Sequence, residues 1–281
     1  MASFSMGRAR RLVSCFRKRS SSSPPSPDST SHDDKAIASI SSEEERKGGA
    51  VLVELFSSQG CATSPQAELL FSRLGRGDFE LELPVILLAY HVDYWDYAGW
   101  KDPYSSSQWT VRQKAYVESL NLDTMFTPQI VVQGRDQCLG DDEDAMLSCI
   151  ASAARDPALA FQATYRRQSD DSLQVNLTGS LRSKMDSQSA DIMVALYESG
   201  LVNDCPDGAN KGRVLANDYV VRRLQKLTSV QDISVKKKVS GTLDFTLWEG
   251  FRSGKCGITL FLQNSSQQIF GAQNFKLPDN L

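Results

Sequence analysis

The sequence predicts an α/β domain followed by an all-β antiparallel sandwich, with a disordered tail in front. Three observations carry this. Residues 1–47 are rich in Ser, Pro and Arg and lack apolar periodicity. Between 48 and 156, continuous apolar runs alternate with stretches of helical spacing, the pattern of strands covered on both faces by helices. From 157 to 281, short runs with period-two alternation are separated by turn residues, which reads as a sandwich.

The tail cannot bury enough surface to offset its ordering entropy. Its first twenty residues hold six basic side chains and no acidic one, and no apolar core of signal-peptide length is present. Three readings compete for this arm. One is a solvated tail. Another is an organelle transit peptide for chloroplast or mitochondrion. The third is a weak membrane tether with Cys15 acylated among basic residues. Without a transit function the chain is expected in the cytoplasm.

Residues 50–56 (AVLVELF) read as a buried strand. A helix follows over 64–74, with Thr63 or Ser64 as cap, Pro65 in its first turn and Glu68 favouring its N-terminal dipole. LPVILLAYHV (83–92) is a second buried strand. Residues 105–122 form an amphipathic helix with a serine cap, placing Trp109, Arg112, Gln113, Tyr116 and Leu120 at helical spacing. A third strand at 129–133, a glycine turn, a short fourth strand and an acid-started helix at 141–155 with Arg155 at its end complete the half. Seven alternating runs then follow, beginning at AFQATYRRQ and ending at QIFGAQNFKL. VKKKV (235–239) reads as a strand edge protected by lysines.

The composition is globular, 41% apolar and 23% charged. A net charge of −3 gives no general affinity for nucleic acid. No apolar run is long enough for a transmembrane helix. The six cysteines lack the close pairing of a zinc site and the density of a secreted disulfide framework, so they read as mostly reduced and buried. A Cys138–Cys149 bridge is neither excluded nor required.

Cys61 carries the chemistry. In ELFSSQGCATSPQAELL it follows a strand and a Gly60 turn and precedes a helix start by three residues. Unpaired amides there stabilise a thiolate, bringing such cysteines to pKa values of about 3.5–7.5 against about 8.5 when free. The competing reading is a small apolar residue packed at a strand end. Thr127–Pro128 stands directly before the third strand, where a proline is tolerated.

VELFSSQGCATSPQAELL, AYHVDYWDYAGWKDPYSSSQWTVRQKAY, FTPQIVVQG and GANKGRVLANDYVVRRL together resemble a thioredoxin-like family of bacterial and plant proteins whose function is unassigned. The resemblance covers roughly 48–281 and implies a thioredoxin-like domain, then the sandwich. It also implies a cis Thr127–Pro128 bond beside Cys61. Relatives often carry a second cysteine where Ser64 stands here, so the dithiol is not carried over. A Cys-x-x-Cys pair resolves its own mixed disulfide, whereas Cys61-x-x-Ser64 requires an external thiol such as glutathione. The expected activity is monothiol thiol–disulfide exchange. Cys61 and Ser64 would be catalytic, and Thr127, Pro128, His91, Tyr94 and Trp95 would line the substrate groove. Protein or small-molecule thiols and disulfides would be the partners, with no metal and no tightly held cofactor. Two alternatives stay open: a catalytically inactive protein-binding module, and an iron–sulfur site shared between subunits.

Around that site, His91 reads as a proton acceptor for Cys61 or as a hydrogen-bonded structural histidine. His91, Asp93 and Asp96 lack a fourth defined metal ligand. Arg112 is expected to neutralise Asp93 or Asp96. GANKGRVLAND (208–218) lacks the ending of a phosphate loop and reads as a turn that touches the first half.

Overall fold

Strand β1 (Val51–Ser57) is buried along its whole length and organises the sheet around it. It pairs in parallel with β2 (Val85–His91), from Val51 opposite Val85 to Ser57 opposite His91. On its other edge β3 (Gln129–Val132) runs antiparallel, followed by β4 (Asp136–Leu139). A computed structural model describes residues 48–181, 189–230 and 238–281 of the chain. The expected tail with Cys15, and most of the VKKKV run, lie outside those residues.

The helices start and stop where local chemistry directs. Helix α1 (Ser64–Arg76) has Pro65 in its first turn. It ends at Gly77, whose φ of +77° is the left-handed conformation glycine adopts without penalty. Helix α2 (Ser107–Ser119) is capped by Ser106, whose side chain accepts from the Gln108 N–H. Helix α3 (Glu143–Ser152) is capped by Asp142 through the Ala145 N–H. Arg155 does not serve the end of α3. Its guanidinium donates instead to the carbonyls of Gly48 and Gly49, at 2.6 and 3.0 Å.

The second half supplies β5 (Ala160–Ser169), β6 (Ser172–Ser180), β7 (Ala190–Glu198), β8 (Leu201–Cys205) and β9 (Arg213–Asn217). It continues with β10 (Val220–Val230), β11 (Lys238–Thr246), β12 (Cys256–Asn264) and β13 (Ile269–Lys276). These strands correct the predicted architecture. The chain is mostly β, and it does not form an α/β thioredoxin-like domain followed by a separate sandwich. A mixed eight-stranded sheet runs β13-β12-β7-β10-β2-β1-β3-β4, straight across the expected boundary at 156. β11-β6-β5 form a second layer, and β8-β9 form a two-stranded ribbon. The junction is β2 against β10, parallel at Ala89 and Val220, where the Ala89 N–H donates to the Tyr219 carbonyl at 2.8 Å. An apolar strand such as β2 needs partners for its backbone on both edges, and β10 supplies the second.

The core is continuous across that junction. Leu52, Phe56, Leu88, Tyr90, Trp109 and Tyr116 pack with Ala195, Val221, Phe261 and Ile269. Helices α1 and α3 cover the opposite face through Leu70, Phe71, Leu74, Met146 and Ile150. Farther along, Val175, Leu177, Val194, Phe245 and Leu260 fill the space between the large sheet and the three-stranded layer.

An ion pair is buried inside this core. Glu54, in the middle of β1, is fully buried. Arg112 donates to its Oε1 from Nε at 2.8 Å, and Tyr116 donates its hydroxyl to Oε2. The same guanidinium reaches Gln263 of β12 at 3.1 Å, so the ion pair ties the two halves together. The expected pairing of Arg112 with Asp93 or Asp96 is therefore corrected. Asp93 is held by the Thr110 hydroxyl and Asp96 by the Ser105 hydroxyl at 2.6 Å.

Removing one partner of a buried pair leaves the other charge uncompensated. Arg112→Met is expected to destabilise the fold by about 3–5 kcal/mol, read from urea unfolding, whereas Glu54→Leu combined with Arg112→Met recovers part of that loss.

Candidate functional site

The loop between β1 and α1 presents the sulfur. Its turn closes through the Cys61 N–H to the Ser58 carbonyl at 3.1 Å and the Gly60 N–H to Ser58 Oγ at 3.1 Å. Gly60 lies against Trp95, where a Cβ would stand 3.0 Å from the Trp95 Cβ and 3.1 Å from its carbonyl oxygen. Cys61 is 3% exposed. Its Sγ lies 3.5 Å from the Thr127 carbonyl oxygen and 3.5 Å from Thr63 Oγ1. Thr127–Pro128 is a cis bond, as the resemblance implied. The structure therefore brings together Cys61, Ser64, Thr127, Trp95 and the Pro128 bond, which are spread over more than sixty residues of sequence.

Hydroxyl groups dominate the surroundings of that sulfur. Burial by itself raises the thiol pKa. Hydrogen bonds from Ser64, Thr127 and Thr63 outweigh it and bring the thiol below its ordinary value. Two of these hydroxyls are fixed by other groups: Ser64 Oγ accepts from the Ser58 N–H at 3.3 Å, and Thr127 Oγ1 accepts from Trp95 Nε1 at 2.8 Å. Thr63 occupies the N-cap position of α1 but makes no side-chain capping bond, and its hydroxyl faces Sγ instead.

His91 sits elsewhere. It is wholly buried, with Nδ1 2.6 Å from Asp102 Oδ2 and Nε2 3.2 Å from Glu68 Oε1. Burial would lower its pKa, but the two carboxylates prevail and hold it at about 10. A charged imidazolium facing two carboxylates is no proton acceptor for Cys61. Nor does Glu68 lie free at the helix start, since it is buried against His91. Tyr94 is half-buried, donates to Gln113 Oε1 at 3.2 Å, and has its phenol pushed up to about 12, chiefly by burial. Cys138 and Cys149 adjoin each other as free thiols, with Cys138 pushed up to about 12 by burial and by Cys149.

Sequence reasoning missed the residues that immobilise the loop. The Gln59 N–H donates to Asp102 Oδ2 at 2.7 Å. Asn210, 1% exposed, donates from Nδ2 to the carbonyls of Gln59 at 2.9 Å and Cys61 at 2.8 Å. The Gln59 side chain donates to Asn217 Oδ1 at 2.7 Å and accepts from Trp100 Nε1 at 3.1 Å. The GANKGRVLAND stretch, read as a turn touching the first half, thus grips the cysteine loop. Its Asn-rich composition was the available signal.

The charged triad makes stability depend on pH. The folded-state pKa of His91 lies above the ordinary 6.5, so its contribution is full below pH 6.5 and is lost as pH rises through about 10. Urea midpoints measured across that window should fall with pH, and Asp102→Asn should flatten the slope.

Known proteins share this architecture. A crystal structure of a protein from Agrobacterium tumefaciens is 25% identical with a TM-score of 0.58, covering 82% of this chain and 96% of that one. HBP35 of Porphyromonas gingivalis is 13% identical with a TM-score of 0.60, covering 82% of this chain and 76% of its own, a likeness of fold alone. A search of curated proteins finds no match. Neither likeness assigns a redox activity. Among the described residues no helix is long and apolar enough to cross a membrane. The sequence matches, over residues 52–263, the family described as protein of unknown function DUF1223, and the chain belongs to that family.

Proposed function

We propose that the protein exchanges disulfides through Cys61 as a single-thiol site, with glutathione or a comparable thiol as co-substrate. The observation that carries this reading is the position of Cys61 Sγ just before α1, 3.5 Å from Thr63 Oγ1 and 3.5 Å from the Thr127 carbonyl oxygen at the cis Pro128 bond, where hydrogen bonds lower its pKa despite burial. A buried cysteine with only a packing role has no need of such surroundings.

In the first step the Cys61 thiolate attacks one sulfur of a glutathione-bearing mixed disulfide. A bond forms between Sγ and the glutathione sulfur, and the partner leaves as its thiolate. Ser64 is a hydroxyl and cannot displace the adduct. A second glutathione thiolate therefore attacks the glutathione sulfur, releasing Cys61 as thiolate and glutathione disulfide as product. On this reading Ser64 and Thr127 hold the charged sulfur, Trp95 positions the Thr127 hydroxyl, and Tyr94 and Pro128 flank the approach.

A second reading, a redox-inactive binding module, is favoured by one observation: the sulfur is only 3% exposed. Alkylation of the native chain by iodoacetamide across pH separates the two. The proposal expects Cys61 to react with a midpoint below the ordinary thiol value, and Ser64→Ala to shift it upward. Cys61→Ser should abolish glutathione-dependent reduction, while Ser64→Ala should slow it about tenfold or more, the weight of one hydrogen bond to a charged group. Cys61 inert at every pH in the folded chain would overturn the exchange reading.

A further inference from the structure

Between α1 and β9 lies a cavity of about 260 Å3. Cys61, Thr127 and Trp95 do not line it, so it is separate from the thiol. Ser57 and Glu68 are buried at its inner side, 0% and 2% exposed. Among the described residues, neither carboxylate oxygen of Glu68 accepts a hydrogen bond, and Ser57 Oγ has no partner. Nε2 of His91 approaches Glu68 Oε1 at 3.2 Å as an ionic contact but is not aligned to donate.

Glu68 and Asp102 share one imidazolium, that of His91, and the cavity wall adds Asp218, held by the Ser72 hydroxyl at 2.7 Å. The two arginines on the wall are exposed and neither pairs with Glu68: Arg76 pairs with Asp78 at 2.9 Å, and Arg213 donates to the amide Oδ1 of Asn210 at 2.8 Å. A buried carboxylate without hydrogen bonds is costly, and a ligand that brings both donors and a positive charge relieves that cost. The mouth is apolar: Leu69 on α1 and Val214 on β9 are 51% and 66% exposed. The volume lies below the roughly 300–1,000 Å3 of pockets that enclose drug-sized molecules, so the site suits a small head group on a narrow stem.

We propose that this cavity binds a primary alkylammonium group, with the –NH3+ on Glu68 and Ser57 and the alkyl stem against Leu69 and Val214. Three donors on one small cation match two carboxylate oxygens and a hydroxyl. The group belongs to a free amine or to a lysine side chain of a peptide, and the chemistry at the floor is the same for both.

The test titrates the full chain with n-butylammonium, with n-butanol as the uncharged isostere, and with N-acetyl-lysine methylamide, reading backbone amide shifts. Saturable shifts at Ser57, Leu69 and Val214 with butylammonium, and none with butanol, are expected. Glu68→Gln should weaken the affinity at least about tenfold, since it removes a charge-assisted contact. Ala216→Trp, placed on the exposed side of the same wall, should block binding without entering the core. Cys61→Ser should bind as the unaltered chain does, which keeps this result distinct from the thiol reading. Tighter binding of the lysine derivative assigns the group to a peptide, and tighter binding of butylammonium assigns it to a small amine. Equal binding of butanol, unchanged affinity in both Glu68→Gln and Ala216→Trp, or no saturable shift at these residues would overturn the proposal.

Discussion

The placement of the cysteine loop depends on the side-chain amide of Asn210. A loop of this kind must find partners for its carbonyls, and a buried carbonyl left unpaired costs about 1–3 kcal/mol. Asn210 serves two of them, on Gln59 and Cys61, from about 150 residues away in the chain. That reach requires the β8–β9 ribbon to lie over α1, and the ribbon leads directly into β10. β10 in turn reaches the loop's neighbourhood only because it pairs with β2. The merged sheet and the position of the sulfur are thus one constraint seen at two scales.

A line of polar contacts runs beneath the loop. The Gln59 N–H meets Asp102, Asp102 meets His91, and His91 meets Glu68 at the cavity floor. Helix α1 therefore takes part in two environments. Its first residue, Ser64, faces the thiol with a hydroxyl, and its fifth, Glu68, faces the cavity with a carboxylate. Beside Glu68 the His91 imidazolium is wholly buried, with Nδ1 2.6 Å from Asp102 Oδ2 and Nε2 3.2 Å from Glu68 Oε1. This explains why the single histidine of the described residues is structural in its position although it stands next to the chemistry in sequence.

The sequence was informative about local structure and about the sulfur. Apolar runs, the serine cap of α2, the acid-rich start of α3 and the seven alternating runs all identify real elements, because those signals are local. Cys61, Ser64, Thr127 and Pro128 were named together, and the fold unites them. Sheet membership was not legible. Alternation in VVRRLQKL reports that β10 has two faces, not that its first residues will pair with β2. The short ribbon β8–β9 was missed because LVNDC and RVLAN are brief and mixed in polarity, and its stability comes from contacts with α1 and the loop. Arg112 found Glu54 rather than an aspartate of the neighbouring loop because a carboxylate fixed inside β1 has no other cation, whereas Asp93 and Asp96 are satisfied by nearby hydroxyls. Asp102 went unnoticed, since its partners Gln59 and His91 lie 43 and 11 residues upstream and no periodicity marks it.

The proposed chemistry requires a sulfur whose thiol is acidic enough to ionise and able to form a mixed disulfide. Treatment of the native full-length chain with glutathione disulfide, followed by mass-spectrometric mapping of each cysteine, tests this most directly. Cys61 is expected to gain glutathione first, ahead of Cys138 and Cys256, whose thiols burial pushes up to about 12. Modification of other cysteines with Cys61 untouched until the chain is unfolded would contradict it.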